Sequence, residues 1–217
     1  QVHQLGLAEV ARIEAEMDAI LRAEGLTEGS IGARVQSISK RPDQLYPDTD
    51  AGRTQIINDF QNIINEIDNG LAPYFNIRPK LGVEVERVPE FREQTAPGAY
   101  YNPPAFDGSR PGVFYINLRN TDEVAKFGMR TLAYHEAIPG HHFQIAIQQE
   151  LQGVPTFRKV LPFTAFAEGW ALYSERLAWE LMISRDRRVN AFALPGGYLG
   201  VHLGLIAVTE RPEELAS

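Results

Sequence analysis

The sequence predicts an α+β fold that is mainly helical, with a small antiparallel sheet. Two long segments, residues 5–23 and 51–69, carry apolar side chains at the spacing of one helix face. Only residues 81–88 and 112–118 read as strands, and they are short. With 217 residues, of which 44% are hydrophobic and 23% charged, the chain has the composition of a globular protein of one domain, or of one domain and part of another.

The elements follow in order along the chain. The first helix is predicted to end at Gly25, and the second lies between Asp50 and Gly70. Both apolar stripes are interpreted as core-packing faces. Between the two strands, residues 92–112 are rich in Gly, Pro and Tyr, so that regular structure is not expected to persist there.

The second half of the chain is predicted to be helical. Asn120 and Glu123 resemble a capping box, which predicts a helix over residues 121–137. A further helix is expected from residue 141 until Gly153. A last, long helix is expected over residues 163–184.

Charge and composition exclude several classes of function. The net charge of -7 argues against a nucleic-acid partner, and no apolar run reaches the roughly 18 residues of a transmembrane helix. Because the chain has no cysteine, a metal would have to be held by His, Asp or Glu. The chain starts at Gln1 without a signal-peptide pattern and is interpreted as a fragment, and the composition fits the cytoplasm or a bacterial periplasm equally.

A histidine cluster dominates the functional interpretation. His135 is followed by Glu136, as in the HExxH zinc motif, but Pro139 stands where the second histidine belongs. In an unbroken helix, His141 would lie about 240° round from His135, and His142 about 10.5 Å along the axis. Neither geometry suits one metal ion, so the alternative is a pair of surface histidines.

The Pro139-Gly140 pair is expected to change this helix geometry. Pro139 has no N–H and clashes with the carbonyl of His135, and Gly140 relaxes the backbone further. We therefore expect the helix to break, which would let His141 stand where the second histidine of the motif normally stands.

A carboxylate from another helix would complete the site. Glu168 stands in an apolar stretch, where a carboxylate is costly unless it is paired or metal-bound, and Glu175 lies two turns further on the same face. Two histidines and this carboxylate would supply three ligands for Zn²⁺, and Glu136 would act as general base on the zinc-bound water. The alternative for Glu168 is an exposed position on an amphipathic helix.

The segments "YHEAIPGHHFQ" and "AEGWALYSERLA" resemble the bacterial "domain of unknown function 885" family, which is grouped with gluzincin-type zinc metallopeptidases. The likeness extends over residues 5–181 and includes "LGLAEVARIEAEM", "PGAYYNPP" and "FYINL". It implies a gluzincin-like metallopeptidase core with the sheet beside the metal-binding helices. It also implies His135 as first ligand, Glu136 as general base and Glu168 as glutamate ligand. His141 is preferred to His142 because the Gly-His dipeptide resembles the one that carries the second ligand in related peptidases.

The resemblance also implies a substrate site. In gluzincins an edge strand beside the metal helix binds extended substrate, which gives this role to residues 112–118, with Tyr115 and Asn117 as substrate-binding residues. An ordinary place within the sheet is the alternative for this strand. Three tyrosines could donate a hydrogen bond to the oxyanion, and Tyr173 is chosen over Tyr100 and Tyr101.

The C-terminal segment differs in character. Residues 185–217 resemble the truncated start of a metalloprotease domain of the HtpX, Ste24 and BepA type, and residues 1–184 are interpreted as a partial zinc metallopeptidase-like domain. A chimera or gene fusion with its junction near residues 182–188 would explain this. His202 is interpreted as a packing or surface residue.

The sequence thus predicts a zinc-dependent peptidase acting on a peptide or protein substrate. The alternatives are a peptide-binding or scaffold fragment that lacks turnover, and a metal-dependent hydrolase of non-peptide amides. All three use the same residues, and loss of activity through truncation is an expected outcome of the first.

Overall fold

The computed structural model describes residues 1–160, 163–183, 191–194 and 198–201. Side chains are described up to Trp179. In this part of the chain helices predominate over strands, which confirms a mainly helical α+β fold. The α-helices are α1 (Val2–Ala23), α2 (Ile31–Ser39), α3 (Asp50–Leu71), α4 (Met129–Glu136), α5 (His141–Glu150), α6 (Thr156–Val160) and α7 (Thr164–Ile183). The strands are β1 (Val83–Arg87), β2 (Ala99–Asn102), β3 (Gly112–Ile116), β4 (Ala191–Leu194) and β5 (Tyr198–Val201).

The chain divides into two compact units, and every predicted site residue falls in the unit Leu45–Met182. In the other unit, the buried Arg34 of α2 donates to Asp18 of α1 at 2.5 Å and to the carbonyl of Leu26 at 3.1 Å. β4 and β5 form an antiparallel pair. The rest of the predicted C-terminal segment, His202 included, lies outside the described residues. No helix within the described ranges has the length and apolar character needed to cross a bilayer.

Helix α3 provides much of the core of the unit that holds the site. Its N-terminus is capped by Thr49, whose hydroxyl accepts from the N–H of Gly52 at 3.1 Å, so the helix begins one residue earlier than predicted. Phe60 meets Phe114 of β3 edge-on, with ring centroids 5.3 Å apart. Each such side chain stabilises the fold by roughly 1.5–3 kcal/mol when fully buried. The buried apolar face of α3 comprises Ile56, Phe60, Ile64, Ile67 and Leu71.

The central sheet has the order β1-β3-β2. β3 is parallel to β1, with Val85 opposite Phe114, and antiparallel to β2, with Tyr100 opposite Tyr115. Two predictions are therefore wrong: this sheet is mixed rather than antiparallel, and β3 is central rather than an edge strand. The physical reason lies in its sequence, since the continuous apolar run "VFYI" is typical of a strand covered on both faces.

Strand β2 was not predicted, because its Tyr-rich sequence lies between Pro97-Gly98 and Pro103-Pro104. It forms one outer edge of the sheet, and β1 forms the other. The outer edge of β1 is covered by the side chain of Gln61 from α3. The Gln61 amide donates to the carbonyl of Val83 at 3.4 Å and accepts from the N–H of Val85 at 3.0 Å.

The helix predicted from residue 121 begins later. Two single 3-10 turns, Thr121–Glu123 and Lys126–Gly128, precede α4. Asn120 makes no side-chain cap, and its amide instead donates to the Glu123 carboxylate at 3.2 Å. The guanidinium of Arg119 binds both oxygens of that carboxylate at 2.9 Å. Glu123 is thereby drawn away from the backbone N–H that a capping box requires.

Candidate metal centre

The predicted helix break is present between α4, which ends at Glu136, and α5, which begins at His141. The Ile138–Pro139 peptide bond in this turn is cis. At Gly140 the chain passes so close to the end of α4 that a Cβ would overlap the backbone oxygens of Tyr134 and His135. Glycine is therefore needed here for close approach.

The broken turn is held by side chains of α7. The carbonyl of Pro139 accepts from Nε1 of Trp170 at 2.8 Å and from Oγ of Ser174 at 3.2 Å. Carbonyls at a helix break lose their regular N–H partners, and a buried carbonyl needs others. These two side chains supply them, one turn apart on the same helix.

The break brings three predicted ligands together. The rings of His135 and His141 have centroids 4.8 Å apart and are nearly perpendicular. Their Nε2 atoms lie 3.4 and 3.7 Å from the same oxygen of Glu168, and one ligand atom from each of the three residues lies within 4.8 Å of the others. Zinc bonds of about 2.0–2.2 Å in tetrahedral geometry separate ligand atoms by about 3.3–3.6 Å. The donor set fits Zn²⁺ with one position left open, and the two distances to Glu168 are close to this range, although the three ligand atoms are grouped only to within 4.8 Å and would have to draw together around an ion.

The two ring nitrogens of His141 have different surroundings. Nε2 faces Glu168, whereas Nδ1 is buried and has no hydrogen-bond partner among the described residues. Because Nδ1 lies on the other side of the ring, a metal bound at Nε2 would not satisfy it. Burial lowers the pKa of His141, which favours the neutral imidazole that a metal requires.

His135 is oriented by Glu175, a carboxylate for which no role was predicted. Its Nδ1 atom lies 2.7 Å from Oε1 of Glu175, which is the strongest influence raising the pKa of His135, against the effect of burial. A carboxylate only accepts, so Nδ1 carries the proton in this bond. The free Nε2 atom then faces Glu168, as a ligand atom should. The position of Glu175 on the face of Glu168 was the only available signal.

His142 points away from the cluster into the core. It is 1% exposed, and its Nε2 donates to the carbonyl of Leu81 at 3.1 Å while its Nδ1 accepts from the hydroxyl of Tyr101 at 2.9 Å. Burial lowers its pKa to about 4. Both ring nitrogens and the Tyr101 hydroxyl are thus occupied in packing, and the geometry favours His141 over His142 as a ligand.

Glu136 is the last residue of α4 and directly follows His135. Burial raises the pKa of its carboxyl group, with the nearby Glu168 acting in the same direction and His135 against it. A raised pKa brings a carboxylate closer to the range in which it both accepts and returns a proton near neutral pH.

The other predicted site residues are Asn117 and Tyr115 for substrate and Tyr173 for the oxyanion. Asn117 is 1% exposed and donates its amide hydrogens to the carbonyls of Glu93, Ala96 and Pro97, so a structural role replaces the predicted contact with substrate. The half-exposed Tyr115 and Tyr100 stack on each other with centroids 5.1 Å apart. Tyr173 is exposed, with its ring beside Trp170.

Strand β2 is an open edge of the sheet and contacts α5, since the Tyr101 hydroxyl bonds to His142 of that helix. The backbone bond from Asn117 N–H to Gly98 O, 2.9 Å long, fixes which residues of β2 face β3. Because hydrogen-bonded and non-bonded pairs alternate in antiparallel strands, the N–H and C=O groups of Ala99 and Tyr101 point away from β3.

Two solved structures are similar to this chain. One, of a candidate lipoprotein from Colwellia psychrerythraea, is 45% identical with a TM-score of 0.81, over 85% of this chain and 32% of that one. The other, of a candidate lipoprotein of unknown function from Shewanella oneidensis, is 18% identical with a TM-score of 0.62, over 84% of this chain and 34% of that one, and it shows the fold alone. The chain thus spans about a third of the length of each.

No curated protein matches the sequence. The family described as "Bacterial protein of unknown function (DUF885)" matches residues 1–196. This match includes β4 and extends past residue 185, at which the sequence predicted a second segment. The chain belongs to the DUF885 family.

Proposed function

We propose that this chain forms the metal-binding part of a zinc-dependent peptidase with a gluzincin-like core. The supporting observation is that the Nε2 atoms of His135 and His141 converge on one oxygen of Glu168. When bound there, Zn²⁺ would supply Lewis-acid activation of a water molecule and of the substrate carbonyl.

Glu136 would carry the proton. It lies next to the first ligand, and its pKa is raised by burial. Its carboxylate would accept a proton from the attacking water and return it to the leaving amine, so that the same oxygen acts first as base and then as acid. This requires no other titratable group.

A peptide is the proposed substrate because β2, an open edge of the sheet, contacts the helix that carries His141. The outward N–H and C=O groups of Ala99 and Tyr101 would pair with an extended chain, as in strand addition. β2 takes over the role that the sequence assigned to β3. Main-chain pairing of this kind selects a peptide over a simple amide.

Metal content and turnover test the proposal in two steps. We expect about one zinc per chain, lost in His135→Ala, His141→Ala and Glu168→Ala but kept in His142→Gln if that variant folds. A peptide-library digest should show cleavage by the wild type and none by zinc-loaded Glu136→Gln. A wild type that takes up no zinc, or a Glu136→Gln variant as active as the wild type, contradicts the proposal.

A peptide-binding fragment without turnover is the second candidate. The chain spans about a third of each solved relative, while the β2 edge is complete within it. Zinc-loaded protein that binds peptides in a fluorescence anisotropy titration and leaves them intact would favour this candidate.

A further inference from the structure

Two side chains of α7 donate hydrogen bonds to the turn between the two histidines. They are Trp170 and Ser174, and both donate to the carbonyl of Pro139, at 2.8 and 3.2 Å. We propose that Trp170 and Ser174 are positioning residues of the metal centre, which set the spacing of the ligand atoms by fixing α7 against the broken turn. This inference rests on the proposed function.

The hydrogen-bonded carbonyl of Pro139 lies between the two histidine ligands in the sequence, and its donors lie close to the glutamate ligand on α7. Pro139 is four residues after His135 and two before His141. On α7, Glu168 precedes Trp170 by two residues, which is about 3 Å along the helix axis. The two hydrogen bonds therefore connect, over short stretches of chain, the segment that carries both imidazoles to the helix that carries the carboxylate.

Even a small displacement of α7 would disrupt the metal site. A slip of one residue moves Glu168 by about 1.5 Å along the axis and turns it by about 100°. Zinc bonds are only about 2.0–2.2 Å long, so such a slip removes the carboxylate from ligating distance. Ser174 is fully buried, and a carbonyl oxygen has two lone pairs, so both donors can bind it together and fix one register.

Other contacts between these elements do not replace this pair. Gln144 of α5 donates to the carbonyl of Phe166 at 3.3 Å, near the start of α7, and Glu175 binds His135 directly. The Glu175 contact involves a candidate ligand and orients its ring. The hydrogen bonds of Trp170 and Ser174 go to a backbone carbonyl, so their loss would change the metal geometry without changing a ligand or its direct partner.

The helix offers a matched control. Trp179 also lies on α7, and its Nε1 donates to Oγ1 of Thr131 in α4 at 3.3 Å. Trp179→Phe removes the same N–H group as Trp170→Phe from the same helix, but the lost bond goes to a side chain of α4 rather than to the broken turn, and the Trp179 ring packs on Tyr134. A merely structural contribution of a tryptophan to the packing of α7 would appear in both variants.

The test compares Trp170→Phe, Ser174→Ala and the double variant with Trp179→Phe. Zinc affinity is measured by chelator competition, the ligand geometry by the visible absorption of the Co²⁺-loaded protein, and stability by urea unfolding of the metal-free protein. We expect each single variant to bind zinc about tenfold more weakly and the double variant about a hundredfold, with an altered cobalt spectrum. Trp179→Phe should keep affinity within about twofold and an unchanged spectrum.

Wild-type zinc affinity and an unaltered cobalt spectrum in Ser174→Ala and Trp170→Phe overturn the inference, whatever happens to their stability, and leave the proposed function intact. If the double variant does not fold, Ser174→Ala decides, because it removes a single oxygen atom. A wild type without zinc overturns both proposals. Zinc bound normally by a wild type that cleaves no peptide counts against the peptidase alone.

Discussion

His135 and Glu175 form the shortest contact in the candidate centre, with Nδ1 2.7 Å from Oε1 and side chains that are 20% and 16% exposed. In the neutral imidazole this bond places the proton on Nδ1 and leaves Nε2, 3.4 Å from Glu168, available to a metal. A carboxylate behind a ligating histidine fixes the ring and raises its basicity.

Glu175→Ala should weaken zinc binding about 10–100-fold, because the His135 ring loses the partner that orients it. Glu175→Gln should recover part of this loss, since its amide oxygen can still accept from Nδ1. Chelator competition measures both. Glu84→Gln, an exposed carboxylate on β1, is the control, and a Glu175→Ala variant with wild-type affinity would contradict the assignment.

Gly140→Ala should destabilise the protein by about 1–3 kcal/mol and abolish zinc uptake, because the added Cβ meets the backbone of Tyr134 and His135. Gly169→Ala is the matched control. That glycine lies within α7 with open space around its Cβ position, so the change should stabilise by about 0.5–1 kcal/mol. Urea unfolding distinguishes the two, and equal effects would show that the close approach at Gly140 is unimportant.

The Arg87–Glu93 pair should make stability depend on pH. Arg87 binds both oxygens of the buried Glu93, at 2.7 and 3.1 Å, and this holds the pKa of Glu93 below its ordinary value of 4.5. The unfolded state therefore takes up this proton first as the pH falls. The stabilisation is complete above the unfolded pKa and is lost as the pH drops through the lower, folded pKa.

Urea unfolding of the wild type and of Glu93→Gln from pH 7 to pH 3 measures this dependence. The difference in free energy of unfolding should be about 1–3 kcal/mol at pH 7 and should shrink below pH 4.5. A difference that stays constant over this range would mean that the charge of Glu93 does not contribute.

Asn117→Ala should lower stability by about 1–3 kcal/mol, because buried carbonyls of the loop before β2 lose their donor. Zinc affinity should remain that of the wild type. A variant that keeps full stability but no longer binds or cleaves peptides would instead support the substrate contact that the sequence predicted.

Ala99→Pro should weaken peptide binding at least about tenfold while zinc binding persists, because it removes an N–H from the outward edge of β2. Tyr100→Pro is the contrasting change, since the N–H of Tyr100 faces β3 and its loss should destabilise the sheet. Fluorescence anisotropy with labelled peptides measures binding. Unchanged affinity in Ala99→Pro would exclude strand addition at this edge.

The candidate centre was predictable because its signals are local. His135, Glu136 and His141 lie in one short segment, and the effect of Pro139 and Gly140 on a helix is a property of those residues alone. The apolar face of α3 was predictable for the same reason. Glu168 was singled out because a carboxylate among apolar neighbours needs a partner, but its side chain is 51% exposed, so burial does not force this pairing and the exposed position given as the alternative is the one observed.

The sheet was less predictable because strand order depends on pairing between distant segments. Nothing in the sequence of β3 states that β1 and β2 lie on either side of it, although its apolar run was a hint. The capping box failed for a similar reason: Arg119 competes for the carboxylate of Glu123, and this contact depends on the fold of the loop.

The glutamine on α3 has a consequence for association between molecules. A side-chain amide has the same kinds of donor and acceptor as a peptide group. Gln61 therefore pairs with the outer edge of β1 as a neighbouring strand would. An unpaired edge strand can pair with a strand of another chain and so lead to aggregation, whereas a capped edge cannot. Of the two edges of this sheet, Gln61 thus blocks pairing of a further strand along β1, while the edge of β2 is the one left for the proposed peptide.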